Sequence, residues 1–132
     1  MRILGVGIDL SMIDSFAEIC RKREKYIDQF CTGDELKFVR ESPTPFLDAN
    51  KIFSIKEAVG KAFGTGLVDE IWFDDIQIRL ATRAPPAVEL SQQALSLATA
   101  RLSTSQFNLA VDVRSTNEFV NSVCIIRGEP NF

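Results

Sequence analysis

The sequence predicts an α+β protein in which a mainly antiparallel sheet packs against helices. Three observations predict it. Two capping-box spacings mark helix starts in the first third of the chain. Period-two alternation of apolar residues marks strands in the second half. Short turn-forming segments join several of those strands, so they close as hairpins.

Taken in order, Ile3 to Leu10 is rich in branched apolar residues with glycine at 5 and 7. It reads as a buried strand where backbones approach closely. Ser15 and Glu18 have capping-box spacing and predict a helix from about there to Tyr26. Thr32 and Glu35 repeat the signature and start a second helix, which Pro43 and Pro45 end. In a third helix Ile52, Ile55, Val59 and Ala62 recur at spacings of three and four, giving one buried stripe. Gly64 stands where its C-cap belongs, and Gly66 follows in a tight loop. From Trp72 to Leu80 the apolar Ile76, Ile78 and Leu80 alternate with Gln77 and Arg79, as in a half-buried strand. Pro85-Pro86 turns the chain, Ala87 to Leu90 is a short strand, and Ser91 to Leu102 a helix. Phe107, Leu109, Val111 and Val113 mark another strand, and Arg114 to Asn117 can turn it back into a partner from Phe119 to Ile126.

The 132 residues fit one compact domain, spanning 1–132, with no room for two cores. A net charge of −3 gives no basic excess of the kind that general nucleic-acid binding needs. No apolar run approaches the roughly 20 residues of a membrane span. The opening MRILGVGIDL reaches Asp9 too soon for a signal peptide, so a cytoplasmic location is expected. The chain has no histidine, which excludes His-dependent catalysis. Cys20, Cys31 and Cys124 are odd in number and widely spaced, arguing against both a disulfide framework and a zinc site. Reduced, buried, structural cysteines are the expectation.

A few side chains could carry chemistry. Glu57 and Lys61 lie four apart on the third helix, facing away from its stripe. Spacing alone makes them an ordinary exposed pair worth about 0.3–0.5 kcal/mol. Asp9 ends an apolar strand, where a carboxylate needs a donor, a cation or a metal; capping the next turn would also answer. Two carboxylates meeting from a strand end and a helix would suit Mg²⁺, which prefers oxygen ligands and bridges to substrate phosphates. Gly64-Thr65-Gly66 could bring backbone N–H groups to a phosphate, or could simply be a C-cap and turn. Arg21, Lys22, Arg23 and Lys25 could complement a helix dipole or meet an acidic partner, with Lys22 and Lys25 on one face. Trp72 and Phe73 are expected in the core or an interface.

Two stretches together resemble the holo-acyl-carrier-protein synthase family of 4′-phosphopantetheinyl transferases. Leu4-Gly5-Val6-Gly7-Ile8-Asp9-Leu10 is similar to that family's opening strand ending in G-[IL]-D-[IL]. Phe53-Ser54-Ile55-Lys56-Glu57-Ala58 through Lys61-Ala62-Phe63-Gly64-Thr65-Gly66 is similar to its F-A-x-K-E-A…K-A-[FL]-G-T-G helix and loop. Asp74-Asp75-Ile76-Gln77-Ile78 after Trp72 looks like the W-x-D-I-E-[VI] strand that follows.

The resemblance implies Mg²⁺-dependent transfer of phosphopantetheine from coenzyme A to a carrier-protein serine. Asp9 and Glu57 would be the metal ligands, and with Lys61 the catalytic residues. Lys61 would contact phosphate oxygens, Lys56 would help to position the same group, and Gly64, Thr65 and Gly66 would line the coenzyme A site. Arg21, Lys22, Arg23 and Lys25 would receive the acidic helix of an acyl carrier protein. A homotrimer with the active site between subunits is implied, with neither nucleic acid nor membrane as partner.

Three positions depart from the family pattern. Ile52 stands where an arginine usually contacts coenzyme A phosphate, with Lys51 beside it. Arg83-Ala84-Pro85-Pro86 replaces a G-K-P turn, and Val111-Asp112-Val113-Arg114 stands where S-x-[ST]-H usually ends a strand. Two readings follow. One is a transferase specialised for one carrier, as in a polyketide or secondary-metabolite pathway. The other is a catalytically impaired relative kept as a binding or structural subunit.

Overall fold

The computed structural model describes residues 1–64 and 73–129. The chain opens with strand β1 (Arg2–Met12), which runs without a break into helix α1 (Ile13–Lys22). Helices α2 (Gly33–Glu41) and α3 (Pro45–Ala62) follow, then the short strands β2 (Ile76–Arg79) and β3 (Ala87–Leu90), helix α4 (Gln92–Leu102), and strands β4 (Phe107–Ser115) and β5 (Phe119–Gly128). One sheet has the order β1-β5-β4 and a second pairs β2 with β3, both antiparallel. The α+β expectation is therefore met.

Helix α3 lies across the three-stranded sheet, and two of its faces have different jobs. Ile52, Ile55 and Val59, each at most 1% exposed, form the expected apolar stripe. Ser54, Ala58 and Ala62, at spacings of four, form a second stripe against β1 and β5. That side packs closely because β1 offers glycine there. A Cβ at Gly7 would lie 1.9 Å from the Ala58 carbonyl oxygen, and one at Gly5 would lie 2.1 Å from that of Ala62. The close backbone approach read from the two glycines is a packing requirement of this helix.

Burial of β1 is less complete than its composition suggests. The strand is at the sheet edge, and only its glycine-bearing face meets α3. Val6, Ile8, Leu10 and Met12 point the other way and are 50–64% exposed.

Helix α1 differs from expectation at both ends. It begins at Ile13, after Met12, with no side-chain cap, so Ser15 and Glu18 form no capping box. The Ile13 N–H instead donates to the Glu118 carbonyl at 2.9 Å, continuing the strand's hydrogen bonding into the first helical turn. It ends at Lys22 because Arg23 is extended (φ −118°, ψ 99°). That bend lets Tyr26 pack edge-on against Phe16 and Phe30, with ring centroids 5.8 and 5.6 Å apart. At α2 the Thr32–Glu35 capping box is present in full. Pro45 does not end that helix but opens the next, at a position where its missing N–H costs nothing.

Phe73 joins the aromatic cluster, 6.2 Å from Phe30 and 5.9 Å from Phe53 between centroids, as a core role requires. Trp72, Thr65 and Gly66 lie outside the described residues. Cys20, Cys31 and Cys124 are free and buried, and burial pushes the thiols of Cys31 and Cys124 up to about 12. Among the described residues no helix is long and apolar enough to cross a membrane.

Candidate active site

The outer face of α3 and strand β1 bring three of the singled-out residues together; Asp9, expected to end its strand, lies within it, because pairing with β5 continues to Met12. Asp9 sits on the α3-facing side of β1, where packing of Gly7 on Ala58 fixes its height along the helix. Lys61 reaches across, its Nζ 3.1 Å from Asp9 Oδ1 and 3.1 Å from the Ile8 carbonyl oxygen. Lys61 does not pair with Glu57, its neighbour one turn back, so the ordinary reading of an exposed helix pair fails. The Asp9 side chain is 12% exposed and that of Lys61 48%.

Glu57 completes the group. It makes no hydrogen bond or ion pair among the described residues. Its carboxyl is held above the ordinary carboxylate range, first by burial and then by the negative charge of Asp9, with Lys61 partly offsetting both. Two carboxylates thus share a region with one lysine, leaving negative charge uncompensated. A hard divalent cation fits this donor set: it would relieve the repulsion, and oxygen ligands are what it prefers. Among the described residues no third Asp, Glu or Cys converges on the pair, so its remaining ligands would be waters and substrate phosphate.

Lys56 requires a correction. Expected to help position the coenzyme A phosphate, it is fully buried and points into the core towards α2 and β2. Its ammonium donates to Glu35 Oε1 at 2.6 Å, the Phe30 carbonyl at 2.7 Å and the Phe73 carbonyl at 2.9 Å. All three of its protons are taken, and none is left for a ligand. Glu35 is equally committed, accepting from the Thr32 and Ile78 N–H groups at 2.8 and 2.6 Å. The K-E adjacency in the sequence hides this split, since neighbouring helical residues point about 100° apart.

Gly64 has φ +83°, the left-handed conformation expected of a residue ending a helix. The basic residues near α1 are all exposed, but they do not share a helix face. Arg21 and Lys22 lie in the last turn, Arg23 caps it, and Lys25 follows in the turn beyond. Arg21 stacks its guanidinium over the Phe46 ring at 5.7 Å, and Lys22 pairs with Glu18 at 2.9 Å.

A cleft of about 800 Å³ opens between α3, the β2–β3 loop and the end of β4. Lys51, Arg83, Pro86, Asp112 and Arg114 line it, with Arg114 Nε donating to Asp112 Oδ2 at 3.1 Å. Ile52 is 1% exposed and sits in the core, while Lys51 supplies the cleft's cation from α3. The sequence pattern did not single out Ser54 and Ser122, whose hydroxyls lie 2.7 Å apart beneath Asp9. The only signal was a serine standing where the family pattern has alanine.

Helix α3 thus sets Glu57 and Lys61 beside Asp9 of the edge strand β1, a donor set able to take a cation and an anionic group. The profile of the 4′-phosphopantetheinyl transferase superfamily matches residues 5–118. The chain belongs to that superfamily. It is 37% identical over 90 residues to the holo-[acyl-carrier-protein] synthase of Geobacillus sp. (strain WCH70), covering 65% of this chain and 74% of that protein. In fold it is similar to the crystal structure of holo-[acyl-carrier-protein] synthase from Neisseria meningitidis, with a TM-score of 0.83, 21% identity, and 96% and 99% of the two chains covered. The Helicobacter pylori synthase, solved in complex with coenzyme A, aligns with a TM-score of 0.73 at 21% identity over 92% and 99% of the chains.

Proposed function

We propose that this protein, acting as one transferase domain, moves 4′-phosphopantetheine from coenzyme A to a serine of an acyl carrier protein, with Mg²⁺ at Asp9 and Glu57. The observation that carries the proposal is the convergence of Asp9, Glu57 and Lys61 in one place. Their surplus negative charge has no structural use, whereas the buried Glu35–Lys56 pair is satisfied within the fold. Membership of the superfamily and resemblance to the Geobacillus and Helicobacter synthases support the same reading.

In this transfer the serine oxygen of the carrier forms a bond to the β-phosphorus of coenzyme A. The bond from that phosphorus to the bridging oxygen breaks, and 3′,5′-ADP leaves. Such a reaction depends mainly on positioning and on balancing charge around the phosphoryl oxygens. The metal supplies charge neutralisation at the pyrophosphate. Asp9 holds Lys61 at the mouth of the site, and the Lys61 ammonium then meets phosphate oxygens. Glu57 would hold the cation with Asp9, and the serine proton leaves to a water at the site. Gly64, lacking a Cβ, leaves its backbone free to approach the ligand. The nucleotide half of coenzyme A suits the 800 Å³ cleft, where Lys51, Arg83 and Arg114 offer cations.

The carrier docks on Arg21, Lys22, Arg23 and Lys25, which offer positive charge to an acidic helix. Val6, Ile8, Leu10 and Met12 form an exposed apolar row on an edge strand, a surface that a soluble chain covers by association. A homotrimer built on that face is our reading, with its sites shared between subunits. A cytoplasmic location and a carrier from a polyketide or secondary-metabolite assembly line are the finer proposals.

The direct test incubates the protein with an apo carrier protein, coenzyme A and Mg²⁺ and weighs the carrier by mass spectrometry. Gain of one phosphopantetheine group, abolished by chelation, is expected. No gain across a panel of carriers overturns the reading.

A further inference from the structure

Beneath Asp9 two buried serines form a hydrogen-bonded pair between α3 and β5. Ser54 is fully buried on α3 and Ser122 is 4% exposed on β5, directly opposite Asp9 in the strand register. Three short contacts join them. Ser54 Oγ donates to Asp9 Oδ2 at 2.9 Å, the two serine oxygens are 2.7 Å apart, and Ser122 Oγ is 2.7 Å from the Ser54 carbonyl oxygen.

Counting protons gives the arrangement a direction. Two hydroxyls bring two protons to three contacts. An ionised Asp9 only accepts, so the Ser54 proton goes to Oδ2. Ser122 donates to the Ser54 carbonyl oxygen, and its 2.7 Å contact with Ser54 Oγ can share that same proton. Asn50, one turn earlier on α3, is fully buried but bonds neither serine, so the chain of donors starts at Ser122.

We propose that Ser122 and Ser54 form a two-hydroxyl relay that fixes Oδ2 of Asp9 and so presents Oδ1 in one orientation to the divalent cation. The proposal rests on the reading of Asp9 as a metal ligand. Both serines are positioning residues, acting only through that carboxylate. Lys61 already sits 3.1 Å from Oδ1. A carboxylate free to rotate would close on that lysine with either oxygen and compete with the metal. Held from below by Ser54, it offers Lys61 a single oxygen, from which the ammonium can swing toward substrate phosphate. Mg²⁺ demands near-ideal octahedral geometry, so it gains most from a ligand whose orientation is set in advance.

The test measures Mn²⁺ binding to the coenzyme A-loaded protein by electron paramagnetic resonance, alongside coenzyme A affinity without metal and thermal midpoint. Ser54→Ala should weaken Mn²⁺ binding by about 10-fold, the effect usual for a residue behind a metal ligand. Coenzyme A affinity and midpoint should stay near the parent values. Ser122→Ala should weaken Mn²⁺ binding less, and the double variant should match Ser54→Ala alone, because Ser122 acts through Ser54. Asp9→Asn serves as the reference and should abolish binding. Unchanged Mn²⁺ affinity in Ser54→Ala, with binding lost in Asp9→Asn, overturns the relay and leaves the metal site standing. Additive losses in the double variant also overturn it. If Asp9→Asn still binds Mn²⁺ normally, the metal reading itself falls, and the relay with it.

Discussion

Lys56 and Lys61 sit five residues apart on one helix, and each forms an ion pair, yet the two sites have opposite characters. Around Lys56 every charge and every proton is matched: three acceptors for the ammonium, and donors on both oxygens of Glu35, all away from water. Around Lys61 the pairing is half exposed and the charges do not balance, because Glu57 and Asp9 together exceed the one lysine. The first arrangement ties α3 to α2, β2 and the segment before it, and has nothing left over for a ligand. The second leaves negative charge unbalanced, which a cation and an anionic substrate would complete under the proposed function. What distinguishes a structural pair from a functional one here is residual binding capacity, which identity and spacing do not encode.

The comparison can be broken at several points. Lys56→Met should cost about 3–5 kcal/mol in urea unfolding, since it leaves the Glu35 carboxylate buried and unpaired. Combining it with Glu35→Gln should recover part of the loss. A cost near zero for Lys56→Met would remove the contrast. Asp9→Ala should lower kcat roughly 10²–10³-fold, as deletion of one preorganised charge-stabilising group does, while the unfolding midpoint stays close to the parent's. Near-normal turnover would refute the metal assignment.

Glu57→Gln sharpens the comparison by separating activity from stability. Burial and Asp9 raise the folded-state pKa of Glu57 above its unfolded value. Its contribution to stability is therefore fully present below the unfolded pKa and is lost as pH rises through the folded one. In metal-free protein at neutral pH, Glu57→Gln should accordingly raise the thermal midpoint slightly, and with Mg²⁺ present it should abolish turnover. The gain should vanish at acid pH, where the parent carboxyl is already neutral. A lower midpoint at neutral pH would contradict this, as would an unchanged one. The smallest effect concerns the carrier surface. Reversing charge at Lys22 and Lys25 should raise the carrier KM by about 2–5-fold at low salt, and less as salt screens it. A salt-independent KM would return those residues to a role at the helix end.

Much of the architecture could be read in the residues. The capping box at Thr32, the apolar stripe of α3 and the alternation in β2, β4 and β5 all depend on local spacing, and each produced its element. The Ser15–Glu18 spacing is the same kind of signal, but here a strand flowing into the helix supplied a partner from Glu118 instead. Among the site residues, the pattern that singled out Asp9, Glu57 and Lys61 matches a place where the chain brings them together. The same pattern assigned Lys56 to the ligand, because one-dimensional adjacency to Glu57 does not show that the two side chains point about 100° apart and only Lys56 is fully buried.

By itself, then, the sequence determined the elements, their order and the chemistry available: carboxylates, lysines and glycines, with no histidine. Only the tertiary structure decided which lysine is spent inside the fold, which stands half-exposed beside Asp9, and which serines lie beneath that carboxylate. The physical reason is distance along the chain. Helix and strand signals act over three or four residues, whereas the bonds from Ser54 to Asp9 and to Ser122 span separations of 45 and 68. Those contacts exist only because two glycines of β1 let α3 settle directly onto the sheet.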